Sequence, residues 1–318
     1  MIRKRAQMKV ILHIGAHRTA TTSFQAYIRH HAEALQRNRI GFWGPARTRK
    51  GLFAGIQPVP GLGADAARRA RGRILLQLDR AERNGVETLL VSDENMLGSV
   101  RMNLRKRKLY PDAGERMARY NCAFDGRIDK MVMSVRALDH YWASAAAYGV
   151  SRGHAVPDHA ACADIADSTR TWRDVIGDVS CAVAKARIEV IPFEKSAARP
   201  DLMLGACTGV TAPREPVSRW LNRGPSAQDL RDILDARNED TSHVADTSER
   251  WTPFDQTARA QLREAYADDM HWLLAGANGL ATLTENLDQT RAGHTLPQGP
   301  PTRGQHNDSQ ERRMARPR

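Results

Sequence analysis

The chain has 318 residues, with 48 Lys and Arg against 36 Asp and Glu, a formal net charge of +12 and 41% hydrophobic residues, enough apolar material to exclude a wholly disordered chain and to build one large domain or a core with an addition. The excess charge is local: Arg3, Lys4, Arg5 and Lys9 near the start, Arg101, Arg105, Lys106, Arg107 and Lys108 in the middle, and six Arg within 291–318. Without zinc-ligand spacing, an RNA-binding aromatic signature or a helix-turn-helix, that pattern gives no expectation of specific nucleic-acid binding.

Residues 9–15, KVILHIG, read as a buried strand ending at Gly15, followed by His17-Arg18-Thr19-Ala20-Thr21-Thr22-Ser23 and an amphipathic helix from Thr21. A strand, a glycine and a hydroxyl-rich helix start make the layout of a phosphate-binding loop, because the first helical N–H groups are unpaired and carry partial positive charge. Against the nucleotide-hydrolase pattern G-x-x-x-x-G-K-[ST], Gly15 and Thr22 fit, but Ala20 replaces the second Gly and Thr21 the Lys. Ala20 would be strained if its position requires positive φ.

Downstream, a short apolar piece at 40–43 precedes a helix over 64–84 and a strand over 86–92 that stops at Ser92-Asp93-Glu94. A helix near 112–120, a strand over 130–135 ending in Arg136, a helix over 139–150 carrying Ser144, and a strand over 187–192 follow. This alternation predicts an α/β fold: a P-loop-type parallel sheet flanked by helices on both faces, with extra C-terminal helices. The ligand crevice of such a sheet lies beyond the carboxyl ends of the strands, where Gly15 to Thr22, Ser92 to Glu94 and Arg136 would converge. Phe193-Glu194-Lys195 makes a later strand-to-helix turn, and Arg219, Asn222, Arg223 and Gly224 lie in a basic turn at 218–226. Residues 225–283 read as packing helices, with Leu230, Ile233 and Leu234 on one face and, later, Trp272, Leu273 and Leu274. The organisation expected is one α/β domain over 1–285, with its core at 9–209 and a helical addition at about 225–285, then a disordered basic tail at 286–318 rich in Pro, Gly, Gln and Arg.

On the loop 13–23 and the pair Arg136 and Ser144, eight residues apart, the chain resembles the P-loop-type sulfotransferases of bacterial and carbohydrate-modifying kind that use 3′-phosphoadenosine 5′-phosphosulfate (PAPS). Their loop typically reads K-T-G-T-T-[ST] after an H-I-G-like strand end, and the likeness extends over about 9–209. The resemblance implies that Arg18, Thr19, Ala20, Thr21, Thr22 and Ser23 hold the 5′-phosphosulfate and that Arg136 with Ser144 holds the 3′-phosphate. Arg18 stands where the family carries a Lys at the bridging oxygen; it keeps the charge but gives up a proton far less readily, so its role is electrostatic. A Pro usual two residues after the family's Arg is Leu138 here. Some carbohydrate sulfotransferases use a glutamate as base, which makes Glu94 the leading candidate to deprotonate the acceptor and His17 the alternative.

The activity expected is sulfuryl transfer from PAPS to an acceptor hydroxyl, on a carbohydrate or other small polar molecule, with no metal. A P-loop kinase-like protein or a catalytically degenerate nucleotide-binding relative are the alternatives. The basic run at 101–108 would line the acceptor cleft and draw an anionic or polar glycan. Cys122, Cys162, Cys181 and Cys207 make no C-x-x-C pair and read as reduced thiols. No apolar run reaches membrane-span length, and the short apolar region after Arg3 to Arg5 is interrupted by His13, so a cytoplasmic protein is expected. The oligomeric state is left open.

Overall fold

A computed structural model describes residues 7–58, 65–197, 199–211, 221, 223–244 and 250–284. It contains a single six-stranded parallel sheet in the order β2-β3-β1-β4-β5-β6, formed by β1 (Lys9–His13), β2 (Ile40–Trp43), β3 (Thr88–Ser92), β4 (Lys130–Val135), β5 (Arg187–Pro192) and β6 (Thr282–Leu283). Before β3 lie α1 (Thr21–His30), α2 (Ala32–Arg37), α3 (Pro45–Arg47) and α4 (Asp65–Arg83). Next come α5 (Val100–Lys106), α6 (Ala113–Ala123), α7 (Leu138–Ser151), α8 (His159–Ala166) and α9 (Trp172–Ala182). After β5 follow α10 (Phe193–Ser196), α11 (Pro200–Thr208), α12 (Ala227–Asp235) and α13 (Gln256–Leu274).

The strands are continuous apolar runs because both sheet faces are covered, and successive side chains go to opposite cores. Val10, Leu12, Leu89, Val91, Met131, Met133 and Val190 join one cluster with residues of α4, α6, α7, α9 and α13. Ile11, Leu90, Val132 and Ile191 face the other way, against α1, α2 and α11. Each of these fully buried aliphatic side chains contributes about 1.5–3 kcal/mol relative to exposure. Helix α7 is buried on nearly every side, since its outer face, Ala146, Ala147 and Val150, is covered by α12, Val244 and Trp251.

The C-terminal region differs in two respects from an all-helical addition. Thr282 and Leu283 pair with Glu189 and Val190, extending the sheet by one edge strand. Leu274 is 56% exposed while Trp272 and Leu273 are buried, because three consecutive helical residues point about 100° apart and cannot share one face. The tail at 286–318, together with Arg219 and Asn222, lies outside the described residues.

The winding direction reverses at β1, which sits between β3 and β4, and this places the ends of those three strands side by side. Among the described residues, no helix is long and apolar enough to cross a membrane. All four cysteines are free thiols, Cys162 and Cys207 buried, Cys122 and Cys181 exposed.

Candidate functional site

The loop between β1 and α1 is built on the end of β4. Regular strand geometry stops at His13, two residues short of the expected boundary, yet the backbone keeps bonding to β4 through Ile14 N–H to the Val132 carbonyl, 2.9 Å, and Ala16 N–H to the Ser134 carbonyl, 3.0 Å. Gly15 is required by its neighbours, since a Cβ there would lie 3.0 Å from the His13 Nε2. The Thr19 hydroxyl donates to the Ala16 carbonyl at 2.6 Å, and the first bond of α1 runs from Phe24 N–H to the Ala20 carbonyl. Arg18 and Ala20 both have left-handed backbones, φ 66° and 59°, and alternating handedness turns successive N–H groups toward one concavity suited to an anion. Ala20 is the N-cap of α1 and has no side chain to cap it. The Thr21 hydroxyl, at the same helix start, is buried without a partner among the described residues.

The left-handed conformation costs a non-glycine residue roughly 1–2 kcal/mol, of which glycine would recover all but its own larger chain entropy, about 0.5–1 kcal/mol. Ala20→Gly is therefore expected to raise unfolding stability by about 0.5–1 kcal/mol, readable as a higher urea midpoint at unchanged slope. A lowered midpoint would mean that the loop is not strained at this position.

Arg136, Ser144 and Arg18 meet directly. The Arg18 Nε donates to the Ser144 hydroxyl at 3.0 Å, and the Arg136 guanidinium donates to the Arg18 carbonyl at 2.8 Å. Ser144 faces the loop because it lies two turns into α7, and one turn further Tyr148 places its ring 5.1 Å from the Arg18 guanidinium carbon. Arg136 is 4% exposed, stacks 4.7 Å from the Phe193 ring centroid and is fixed by Trp172, whose indole N–H donates to its carbonyl at 2.7 Å. Its Nε is buried without a partner among the described residues. Burial, reinforced by the nearby Arg250 charge, lowers the Arg136 pKa to about 10, and burial lowers that of Arg18 as well, again with Arg250 adding. Neither Arg18 nor Arg136 forms an ion pair among the described residues. A buried and a half-buried cation with a third close by, unpaired with any carboxylate among the described residues, are suited to an anion. The late basic turn also arrives here: the Leu221 N–H donates to the Ser23 hydroxyl at 3.1 Å, and a Cβ on Gly224 would lie 3.4 Å from the Arg18 Nη2.

Glu94 enters from the end of β3, where Asp93 caps a single 3₁₀ turn, Glu94–Met96. Arg49 bridges the two acids, its Nη2 at 2.7 Å from Asp93 and 2.9 Å from Glu94, and the Thr48 hydroxyl donates to Asp93 at 2.6 Å. Gln25 donates to the second Glu94 oxygen at 3.3 Å and to the Ser92 carbonyl, also at 3.3 Å. Burial pushes the Glu94 pKa upward, but the hydrogen bond and charge of Arg49 outweigh it, so the net shift is downward and the carboxylate is ionised at neutral pH. His17 has both ring nitrogens engaged, Nδ1 with the Tyr110 hydroxyl at 2.8 Å and Nε2 with the Asn95 Oδ1 at 3.0 Å, and burial lowers its pKa. His13, wholly buried behind the loop, contacts the Ser92 hydroxyl through Nδ1 at 2.8 Å.

His17, Arg18, Ala20, Thr21, Thr22, Glu94, Val100, Tyr148 and Leu221 line one cavity of about 80 Å³, the size of a single sulfate or phosphate group rather than a nucleotide. It unites the loop with Glu94, while Arg136 and Ser144 reach it through Arg18. Thr19 lies beneath, tied to Ala16, and Ser23 receives the Leu221 N–H. Of the basic run at 101–108, Arg101, Arg105, Lys106 and Lys108 are exposed along or just beyond α5 and Arg107 is paired with Asp164; none of them lines the cavity, which α5 meets through Val100, the residue before the run. Arg49, Asn95, Tyr110 and Arg250 carry no local motif, and nothing in the sequence marks them for this site. Tyr148 could have been found from its four-residue spacing to Ser144.

The fold is α/β and P-loop-like, with a loop of left-handed residues between its central strand and first helix. No known family model matches the chain, and no curated protein is significantly similar to it.

Proposed function

We propose that the chain is a PAPS-dependent sulfotransferase acting on the hydroxyl of a carbohydrate or other small polar acceptor, in the cytoplasm. The observation that carries this reading is the meeting of Arg18, Arg136 and Ser144 beside a left-handed loop, with the ionised Glu94 lining the same cavity. The unpartnered Thr21 hydroxyl and Arg136 Nε are donors suited to anionic oxygens, so the residues present fit such a ligand. PAPS would supply an activated sulfuryl group on a phosphate leaving group. Arg18 would stabilise the charge that develops on the departing oxygen, and Arg136 with Ser144 would bind the second phosphate. Glu94 would take the acceptor proton, because its carboxylate is ionised and faces the cavity whereas both His17 nitrogens are already occupied. A P-loop kinase would need a Lys at position 21, where a buried threonine hydroxyl stands.

Calorimetric titration with 3′-phosphoadenosine 5′-phosphate (PAP) and with Mg-ATP tests the reading. Wild type is expected to prefer PAP, and Arg136→Ala with Ser144→Ala should weaken it at least 30-fold, roughly the loss of one or two charge-assisted hydrogen bonds. PAP preference in the variant equal to wild type would move the 3′-phosphate elsewhere, and equal or absent binding of both nucleotides would sink the assignment. Tight PAP binding without transfer to any acceptor would point to a degenerate relative.

A further inference from the structure

We infer that Tyr110 is a positioning residue that holds His17 as its neutral Nε2–H tautomer, so that His17 donates a hydrogen bond to the anion in the cavity instead of accepting a proton from the acceptor. The identity of that anion as a sulfuryl group rests on the function proposed above; the tautomer does not.

The Tyr110 hydroxyl accepts the main-chain N–H of His17 at 2.8 Å and lies 2.8 Å from His17 Nδ1. The Tyr141 hydroxyl also bonds to that of Tyr110 and accepts from Asn103 Nδ2 at 2.7 Å; when Tyr141 turns its own proton to Tyr110, the single Tyr110 proton is left for a bare Nδ1. On the opposite side, Nε2 lies 3.0 Å from the Asn95 Oδ1, which only accepts, so the ring proton belongs on Nε2. The Asn95 main chain is held on both sides: its N–H donates to Asp93 at 3.1 Å and its main-chain carbonyl receives an Arg116 N–H at 2.6 Å.

Tyr110 is held in place at a cost. Its φ is 41°, a conformation that costs a bulky non-glycine residue about 1–3 kcal/mol and persists only where the surroundings over-determine it. Its N–H donates to the Asn103 Oδ1 at 3.2 Å, its carbonyl takes an Arg170 N–H at 2.8 Å, and its ring packs 6.2 Å from both Tyr141 and Trp172. Gly98, φ +153°, leaves room for that ring, since a Cβ there would come within 3.1 Å of it. All of this fixes a hydroxyl whose contacts with His17 fasten both its backbone and its imidazole.

The Asn95 hydrogen bond and the charges of Glu94 and Asp93 favour the imidazolium; burial, with the Arg49 charge acting on the same side, outweighs them and keeps the ring neutral. His17 lines the cavity beside Arg18 and Glu94. An anionic oxygen that replaced the Asn95 carbonyl as acceptor would receive the Nε2 proton without any change of protonation.

Two-bond ¹H–¹⁵N correlation spectra of the ¹⁵N-histidine-labelled protein read the tautomer directly. The expected result is a protonated Nε2 and a bare Nδ1 for His17 throughout pH 6–8, and a mixture of tautomers in Tyr110→Phe. A protonated Nδ1 in wild type, or an unchanged spectrum in Tyr110→Phe, would overturn the inference. The donor role is read from binding. His17→Gln, which keeps a donor near Nε2, is expected to bind PAPS within about threefold of wild type, and His17→Ala roughly tenfold more weakly, with PAP affinity little changed in either. Equal PAPS affinity in His17→Ala and wild type would remove the donor role. Should wild type bind neither nucleotide, the sulfotransferase reading falls, while the same variants titrated with inorganic sulfate still decide whether His17 donates to an anion.

Discussion

Glu94→Gln is expected to lower sulfuryl transfer from PAPS by about 100-fold or more, the usual loss on removing a positioned general base, while PAP affinity stays within about twofold of wild type. Glutamine keeps the shape, its single amide oxygen can still accept from Arg49 in place of the oxygen now 2.9 Å away, and Arg49 retains its 2.7 Å contact to Asp93, so the strand end should survive the loss of the Gln25 bond to the other oxygen. What disappears is the capacity to take a proton. Because Arg49 more than compensates the upward push of burial and holds Glu94 below its ordinary range, wild-type turnover should show no acid-limb loss from this group until the pH falls below about 4.3, the usual glutamate value. Radiolabelled PAPS with an acceptor found by hydroxyl screening measures the transfer, and calorimetry with PAP measures the binding. Full activity in Glu94→Gln would place the base elsewhere.

The second large effect is acid lability centred on His13. Burial drives its pKa from 6.5 down to about 4, against a smaller opposing influence of the Glu94 charge. The folded state therefore refuses a proton that the unfolded chain accepts, and stability rises with pH across the interval between the two values. On acidification from pH 6.5 to 4, this one group is expected to remove about 3 kcal/mol, from roughly 1.4 kcal/mol per pKa unit. His17, also lowered chiefly by burial, acts in the same direction, whereas the buried Asp269, raised chiefly by burial, acts in the opposite one. Urea unfolding at stepped pH gives the profile. His13→Asn should be less stable than wild type at pH 7, having lost the edge-on contact with Phe24 at 4.8 Å, and should show a flatter slope between pH 4 and 6.5. An equally steep slope in the variant would assign the lability to other groups.

Much of the framework was legible from local pattern. The apolar piece at 40–43 is a strand with those limits, the strands at 130–135 and 187–192 have the expected limits, and the helix expected over 139–150 is Leu138–Ser151. Apolar runs bounded by turn residues announce buried parallel strands, because both faces of each strand must be covered. The four short pieces of this pattern that carry polar residues at strand ends, Gly15 to Ser23, Ser92 to Glu94, Arg136 and Phe193-Glu194, all lie along one edge of the sheet, and Glu194 accepts the Ala137 N–H at 2.9 Å. The two-residue strand at Thr282 and Leu283 escaped the pattern, being too short to show any period.

By itself, then, the sequence determined the alternation of strand and helix, the position of the glycine-to-hydroxyl loop, and the two-turn separation of Arg136 and Ser144, since each depends on spacing along the chain. Tertiary structure alone decided that Arg18 lies against both of them, that Arg49 clamps Glu94 from 45 residues away, that Tyr110 fastens His17 from 93 residues away, and that Arg250 adds its charge to the cluster. It also decided the left-handed backbone of Ala20. These follow from the order of strands in the sheet and from helix packing, which bring distant segments to one edge, and hydrophobic periodicity, being the same for any strand order, carries no record of them.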